Sequence, residues 1–169
     1  MSERTVVNAI VKSLYTKLAK PVIMMEQTPT KPPYPFMSYK VITAYVQGLG
    51  GAYINSTVVD STSETFDYDI KETAVDNPTL TMSMTAYAVD AMGANELATS
   101  AMKLFQHVLY YDMKDINAVV VSIEAITDRT IFIVDHYEYR YGFDVRIRIL
   151  EQTDRIIETI ETININQGD

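Results

Sequence analysis

The residue types that most often carry catalysis are scarce in this chain. Its 169 residues include two histidines and no cysteine, which excludes thiolate catalysis, Cys-ligated zinc and disulfide staples. His107 falls in a helical stretch, off the main apolar stripe, where a solvated structural histidine is expected. His136 and Glu138 lie two apart in Asp135-His136-Tyr137-Glu138 and so share one face of a strand, but two ligands are too few to fix a metal. Asp67 and Asp69 have the spacing of a carboxylate pair for acid–base work. Lys71 continues that row, so a solvated strand face is the expectation. The glycines of GLGGAY are not followed by Gly-Lys-Ser/Thr or by a helical pattern, as a phosphate loop requires. No Gly-x-Ser-x-Gly elbow occurs either. The pattern points to no catalytic residue, no metal and no cofactor.

One stretch carries chemistry of another kind. Tyr137–Ile149 reads YEYRYGFDVRIRI, with aromatic or aliphatic residues at every odd position. The even positions hold Glu138, Arg140, Asp144, Arg146 and Arg148, interrupted by Gly142. This is the alternation of an amphipathic strand whose odd row needs a core. Charges of opposite sign on the even row could pair across strands for up to about 1 kcal/mol each. The length argues for more than that. Thirteen residues at ~3.3 Å span roughly 43 Å, about twice a usual strand, and proteins keep exposed strands short or covered. Gly142 is the expected place for a bulge. Arginine, with its planar fork, suits pairing with the carboxylates of another chain. The even row is therefore a candidate protein interface.

The elements that must position this strand follow from periodicity. Residues 3–19 place Val6, Val7, Ile10, Val11, Leu14 and Leu18 on one helical face. Val22–Met25 reads as a short strand, and the proline-rich EQTPTKPPYPF as a turn or extended connector with a trans Tyr34-Pro35 bond. Met37–Val46 is a strand, Gln47–Ser63 a long polar loop, and Glu64–Glu72 and Thr79–Val89 are further strands. Asp90 caps a second helix reaching to about Tyr111, with the stripe Leu97, Ala101, Leu104, Phe105, Val108 and Leu109. Val119–Ile126 reads as a mostly buried strand, and the turn Thr127-Asp128-Arg129 leads into the long one. From Asp154 the tail fits a strand ending near Asn166, although Ile156, Ile157, Ile160 and Ile163 also have helical spacing. The fold class is α+β: an antiparallel sheet with two main helices packed on one face. Residues 1–150 read as one domain and 151–169 as a C-terminal tail, extended or strand. A net charge of −8 and a pI near 4.7 disfavour non-specific attraction to nucleic acid or anionic lipid.

In order and spacing, PYPF (33–36), PTLTMSMTAYAVD (78–90), VVVSIEAITDRT (119–130) and YEYRYGFDVRIRI (137–149) resemble one family. It is that of the neck or tail-terminator proteins of long-tailed bacteriophages. The resemblance covers about residues 5–150 and stops before the tail. It implies an α+β fold without an active site. It also implies a virion protein, assembled in the host cytoplasm, that forms a ring, usually of six copies, capping the tail tube. Such a ring ends tube polymerisation and joins tail to head. The implied partners are further copies of the chain, the tail-tube protein and a head-side connector or stopper. Genomic DNA would pass the channel without specific binding, and no membrane is involved. An acidic chain suits that channel, since carboxylates repel phosphate. A head-completion or stopper protein on the portal side is the alternative, and a small ligand-binding α+β domain or enzyme a distant one. The interface candidates are Glu138, Arg140, Asp144, Arg146 and Arg148, with Ile160 and Ile163 of the tail and the loop Gln47–Ser63.

Overall fold

The computed structural model describes residues 3–26, 30–48, 50–63 and 66–158. Helix α1 (Glu3–Leu18) buries Val6, Val7, Ile10 and Leu14, the stripe that its spacing requires. Ala19 takes a positive φ of 52° and donates its N–H to the Tyr15 carbonyl at 3.0 Å, ending the helix before Pro21. Strand β1 (Val22–Met24) then pairs in parallel with β2 (Phe36–Val46), the one parallel pair in an otherwise antiparallel arrangement of the described strands. The Tyr34-Pro35 bond is cis rather than trans.

The main sheet has the order β1-β2-β5-β9-β6, with β5 at Thr79–Ala88, β6 at Ala118–Ile123 and β9 at His136–Ile149. Two short strands, β7 (Thr127–Asp128) and β8 (Ile131–Ile133), continue the antiparallel pairing of β9 beyond β6. The expected turn before the long strand is therefore itself strand, closed by a tight turn at Val134-Asp135. The core lies on one side of the sheet. There Leu80, Met82, Met84, Phe143, Val145 and Ile147 pack in one cluster with the apolar stripes of α1 and α2 (Ala91–Lys103). Asp90 caps α2 by accepting the Gly93 N–H at 2.7 Å.

The second helix does not run uniformly to Tyr111. A π turn at Leu104–Val108 interrupts it, and α3 (Tyr110–Asp115) follows. The cause is visible in the spacing. Leu97, Ala101, Phe105, Leu109 and Met113 are all buried and recur every four residues. On a 3.6-residue helix such a row drifts by about 40° per step, and a wider π turn brings it back towards the sheet. Val108, expected in the stripe, is exposed as a result.

The length of β9 has a structural explanation. β5 is preceded by β4 (Tyr68–Asp76) across Asn77-Pro78, and β9 continues into β10 (Glu151–Glu158) across Leu150. The two composite strands keep one antiparallel register from Asp69↔Glu158, through Asp76↔Glu151 and Thr79↔Arg148, to Ala88↔Tyr139. This ribbon is roughly 60 Å long. Its far half leaves the core and, with β3 (Tyr53–Asp60), makes a second sheet of order β10-β4-β3. We call this sheet the arm. Residues 53–60, expected within a loop, are thus a strand, and the strand expected at Glu64–Glu72 lies at Tyr68–Asp76. β3 has almost no buried side chain, so it carries no alternation by which sequence could mark it. Ion pairs brace both faces of the arm: Arg155–Glu72 at 2.5 Å on one, Lys71–Asp154 at 2.8 Å on the other.

Gly142 makes no bulge in the β5–β9 ladder, whose register is unbroken. Its role is clearance. A Cβ there would stand 2.4 Å from the Met84 carbonyl oxygen and 2.9 Å from Nη1 of Arg129. Gly142→Ala is expected to cost ~1–3 kcal/mol through overpacking against backbone. Urea unfolding monitored by circular dichroism measures it, and an unchanged midpoint would contradict the placement of Arg129.

Candidate functional site

The even row of β9 divides into three parts. At its centre, Asp144 is already paired within the subunit: Arg129 Nη2 reaches its Oδ1 at 2.8 Å, and the Ser83 hydroxyl donates to the same oxygen at 2.7 Å. Arg129 Nη1 also donates to Ser83 Oγ at 2.7 Å and Thr85 Oγ1 at 3.2 Å, lying over Gly142 to do so. Nothing in the sequence alone assigns Arg129 this role.

At one end of the row Glu138 is buried, only 3 % exposed, while Tyr137 is 60 % exposed. The sequence alternation predicts the reverse, and the core-facing odd row holds only from Tyr141 to Ile149. The reason is the proline-rich connector, which crosses this end of the sheet. Tyr34 stacks on Phe36, and Phe36 on Tyr87, with centroids 5.6 and 4.6 Å apart. Beneath this cover the Glu138 carboxylate meets Lys31, the Tyr34 hydroxyl at 3.0 Å and the Arg140 guanidinium. Lys31 and Arg140 also lie over the Tyr87 ring at 5.5 and 5.2 Å. Burial, and then the Arg140 charge, lower the pKa of Lys31. Glu138 and Arg140 therefore clamp the connector to the sheet rather than face solvent as an open pair.

At the other end Arg146 and Arg148 are exposed. Among the described residues Arg146 donates to Thr79 Oγ1, at 3.2 and 3.3 Å. Among the described residues the arginines paired with carboxylates are Arg129, Arg140 and Arg155. Arg146 and Arg148 have no such partner. They line a cleft of about 490 Å³ with Gln47, Asn77 and Thr79. Arg146 also borders a second, of about 590 Å³, with Thr43, Glu124, Thr127 and Arg129. The two clefts run along the sheet face away from the helices, at the base of the arm. There Tyr45 donates to Asp76 Oδ2 at 3.0 Å and ties β2 to the start of the arm.

The remaining candidates do not converge. His107 is exposed on the π turn. His136 is exposed and bonded to Asp135 at 2.8 Å, away from the cations that hold Glu138. Asp67 is exposed, but Asp69 is buried, against the expectation of a solvated row, and its Oδ1 accepts no hydrogen bond among the described residues. No three metal-binding side chains lie together among those residues. Ile160 and Ile163 lie outside them. On the arm, Lys71 and then Thr73 hold the Asp154 carboxyl below its ordinary value near 3.8. Its stabilising pairing is complete above that pH and is lost as pH falls through the lowered value. No described helix is long and apolar enough to cross a membrane.

Unpaired arginines beside a projecting sheet are the equipment of a structural protein that meets other proteins. Comparison with known families makes this specific. The family model described as phage neck terminator protein matches residues 4–169, so the chain belongs to that family and is a structural component of the phage neck in the virion. The match extends through β10 and the tail, which the resemblance read from sequence left out. No curated protein matches the chain.

Proposed function

We propose that copies of this chain close into a ring on the end of the tail tube, stopping its growth and presenting a surface to the head. The observation that carries this reading is the exposed Arg146–Arg148 pair, which has no carboxylate partner among the described residues. A ring subunit needs two different patches that meet head-to-tail, and an acidic chain offers carboxylates to such a pair. The arm supplies the second requirement, a contact segment that reaches beyond the subunit's own core. Tyr53, Ile54, Val58, Tyr68 and Ile156 are exposed along it. Six copies, contact with the tail-tube protein below and with a head-side connector above, and passage of DNA through an acidic channel complete the proposal. The chain has no catalytic role in it. Assembly takes place in the host cytoplasm. A stopper on the portal side remains the second reading, since it too would be a ring component.

The two readings differ in what fails without the protein. A tail terminator's absence leaves tubes that overrun their normal length, whereas a stopper's absence leaves tails of normal length that do not join heads. Electron micrographs of lysates lacking the protein are expected to show overlong tubes. Free tails of normal length would contradict the terminator reading.

A further inference from the structure

The free edge of β6 is the feature that the proposed ring has not used. Among the described residues β6 ends the main sheet, so one row of its backbone N–H and C=O groups is unpaired. The sequence reading expects this strand to be mostly buried, yet Val119 is 45 % and Val121 42 % exposed. Ala118–Ile123 contains no charged residue and no proline, the usual protections of an edge; one register irregularity, between Val120 and Ser122, is its sole interruption. Alongside runs a groove of about 440 Å³, lined by Phe105, Tyr110, Met113 and Val120 and by a single charge, Lys114. An added strand would gain main-chain bonds from the edge and place alternate side chains in the groove. The occupant must then be extended, apolar at every second position and acidic where it passes Lys114.

Residues 159–169, TIETININQGD, have that pattern, with Glu161, Ile163 and Ile165 two apart. Glu161 and Ile163 cannot reach their own edge. Leu150 N–H bonds to the Asn117 carbonyl at 3.0 Å, so β6 begins where β10 leaves the core. Glu158, at the far end of the arm, is then roughly 23 Å away. Five residues carry Ile163 at most about 18 Å back. We propose that the β6 edge and its groove accept residues 159–169 of a second copy of this chain, with Ile163 and Ile165 in the groove and Glu161 beside Lys114. This rests on the reading that copies assemble in the neck, and it names one joint between them.

The absence of cysteine makes the test clean. Full-length Lys114→Cys and tagged full-length Glu161→Cys chains are assembled together into tails and oxidised. A disulfide-linked pair of the two chains is expected to form at least ~10-fold faster than with Glu96→Cys on α2 in place of Lys114→Cys. A second comparison uses no cysteine: Ile163→Asp with Ile165→Asp is expected to lower incorporation into tails at least ~10-fold. A link no faster than the control would overturn the proposal, as would one that forms only within a chain carrying both cysteines. If the natural chain forms rings while the link fails, the tail's place is wrong and the ring stands. If it forms no rings, both fall.

Discussion

Val145→Asp is expected to leave the chain unfolded under ordinary conditions. Val145 is fully buried in β9, paired with Met82 of β5 on one side and Ile123 of β6 on the other, and packed in the cluster that includes α1 and α2. A carboxylate there meets no cation and no donor, and an unpaired buried charge costs several kcal/mol. Domains of this size are stable by about 5–15 kcal/mol in total, so the loss takes most or all of the margin. Arg146→Ala, one residue along and exposed, is expected to change stability by no more than ~0.5 kcal/mol. Far-ultraviolet circular dichroism and urea titration of the two variants give the contrast. A Val145→Asp protein with a normal transition would mean that the odd row of β9 does not face the core.

The second large effect concerns assembly rather than folding. Arg146→Glu with Arg148→Glu is expected to give a normally folded subunit that fails to build normal necks. Both side chains are exposed, and among the described residues neither holds a carboxylate. Reversing them therefore breaks no ion pair among the described residues. Against an acidic neighbour the same change turns attraction into like-charge contact, worth several kcal/mol when the groups are desolvated. That corresponds to a loss of at least ~100-fold in association. The readout is the fraction of particles with joined heads and tails of normal length when the double variant replaces the natural chain. Normal particles would show this face to be a solvated surface. The contacts would then lie on the arm and at the edge of β6.

Much of the fold was legible because burial leaves a period. The α1 stripe, the apolar row of β5 and the odd row from Tyr141 to Ile149 are all set by contact with one core, and each keeps its expected face. Where no core is present, the period fails. β3 has a solvated surface on both sides, so its Ser/Thr-rich sequence reads as loop; pairing with β4, not burial, makes it a strand. Glu138 was misplaced for the opposite reason. The proline connector brings a second cover to the charged side of the sheet, and nothing local to β9 records it. The π turn was legible in principle, since a buried row repeating every four residues does not fit an ordinary helix. In the site, the arginine row was visible as chemistry, but its division was not. Which charges of the row are already paired depends on Arg129, from the link between β7 and β8 that reads as a plain turn, and on Lys31, from a connector 107 residues before Glu138.

Whether the protein closes a ring on the tube is decided by an image. Purified protein is mixed with tail tubes assembled from the tube subunit alone, and the tube ends are examined by negative-stain electron microscopy with class averaging. A closed ring seated on one end of each tube is expected, with tubes that no longer lengthen when more subunit is added. Bare tube ends, together with growth that continues in the presence of the protein, would contradict the proposed ring.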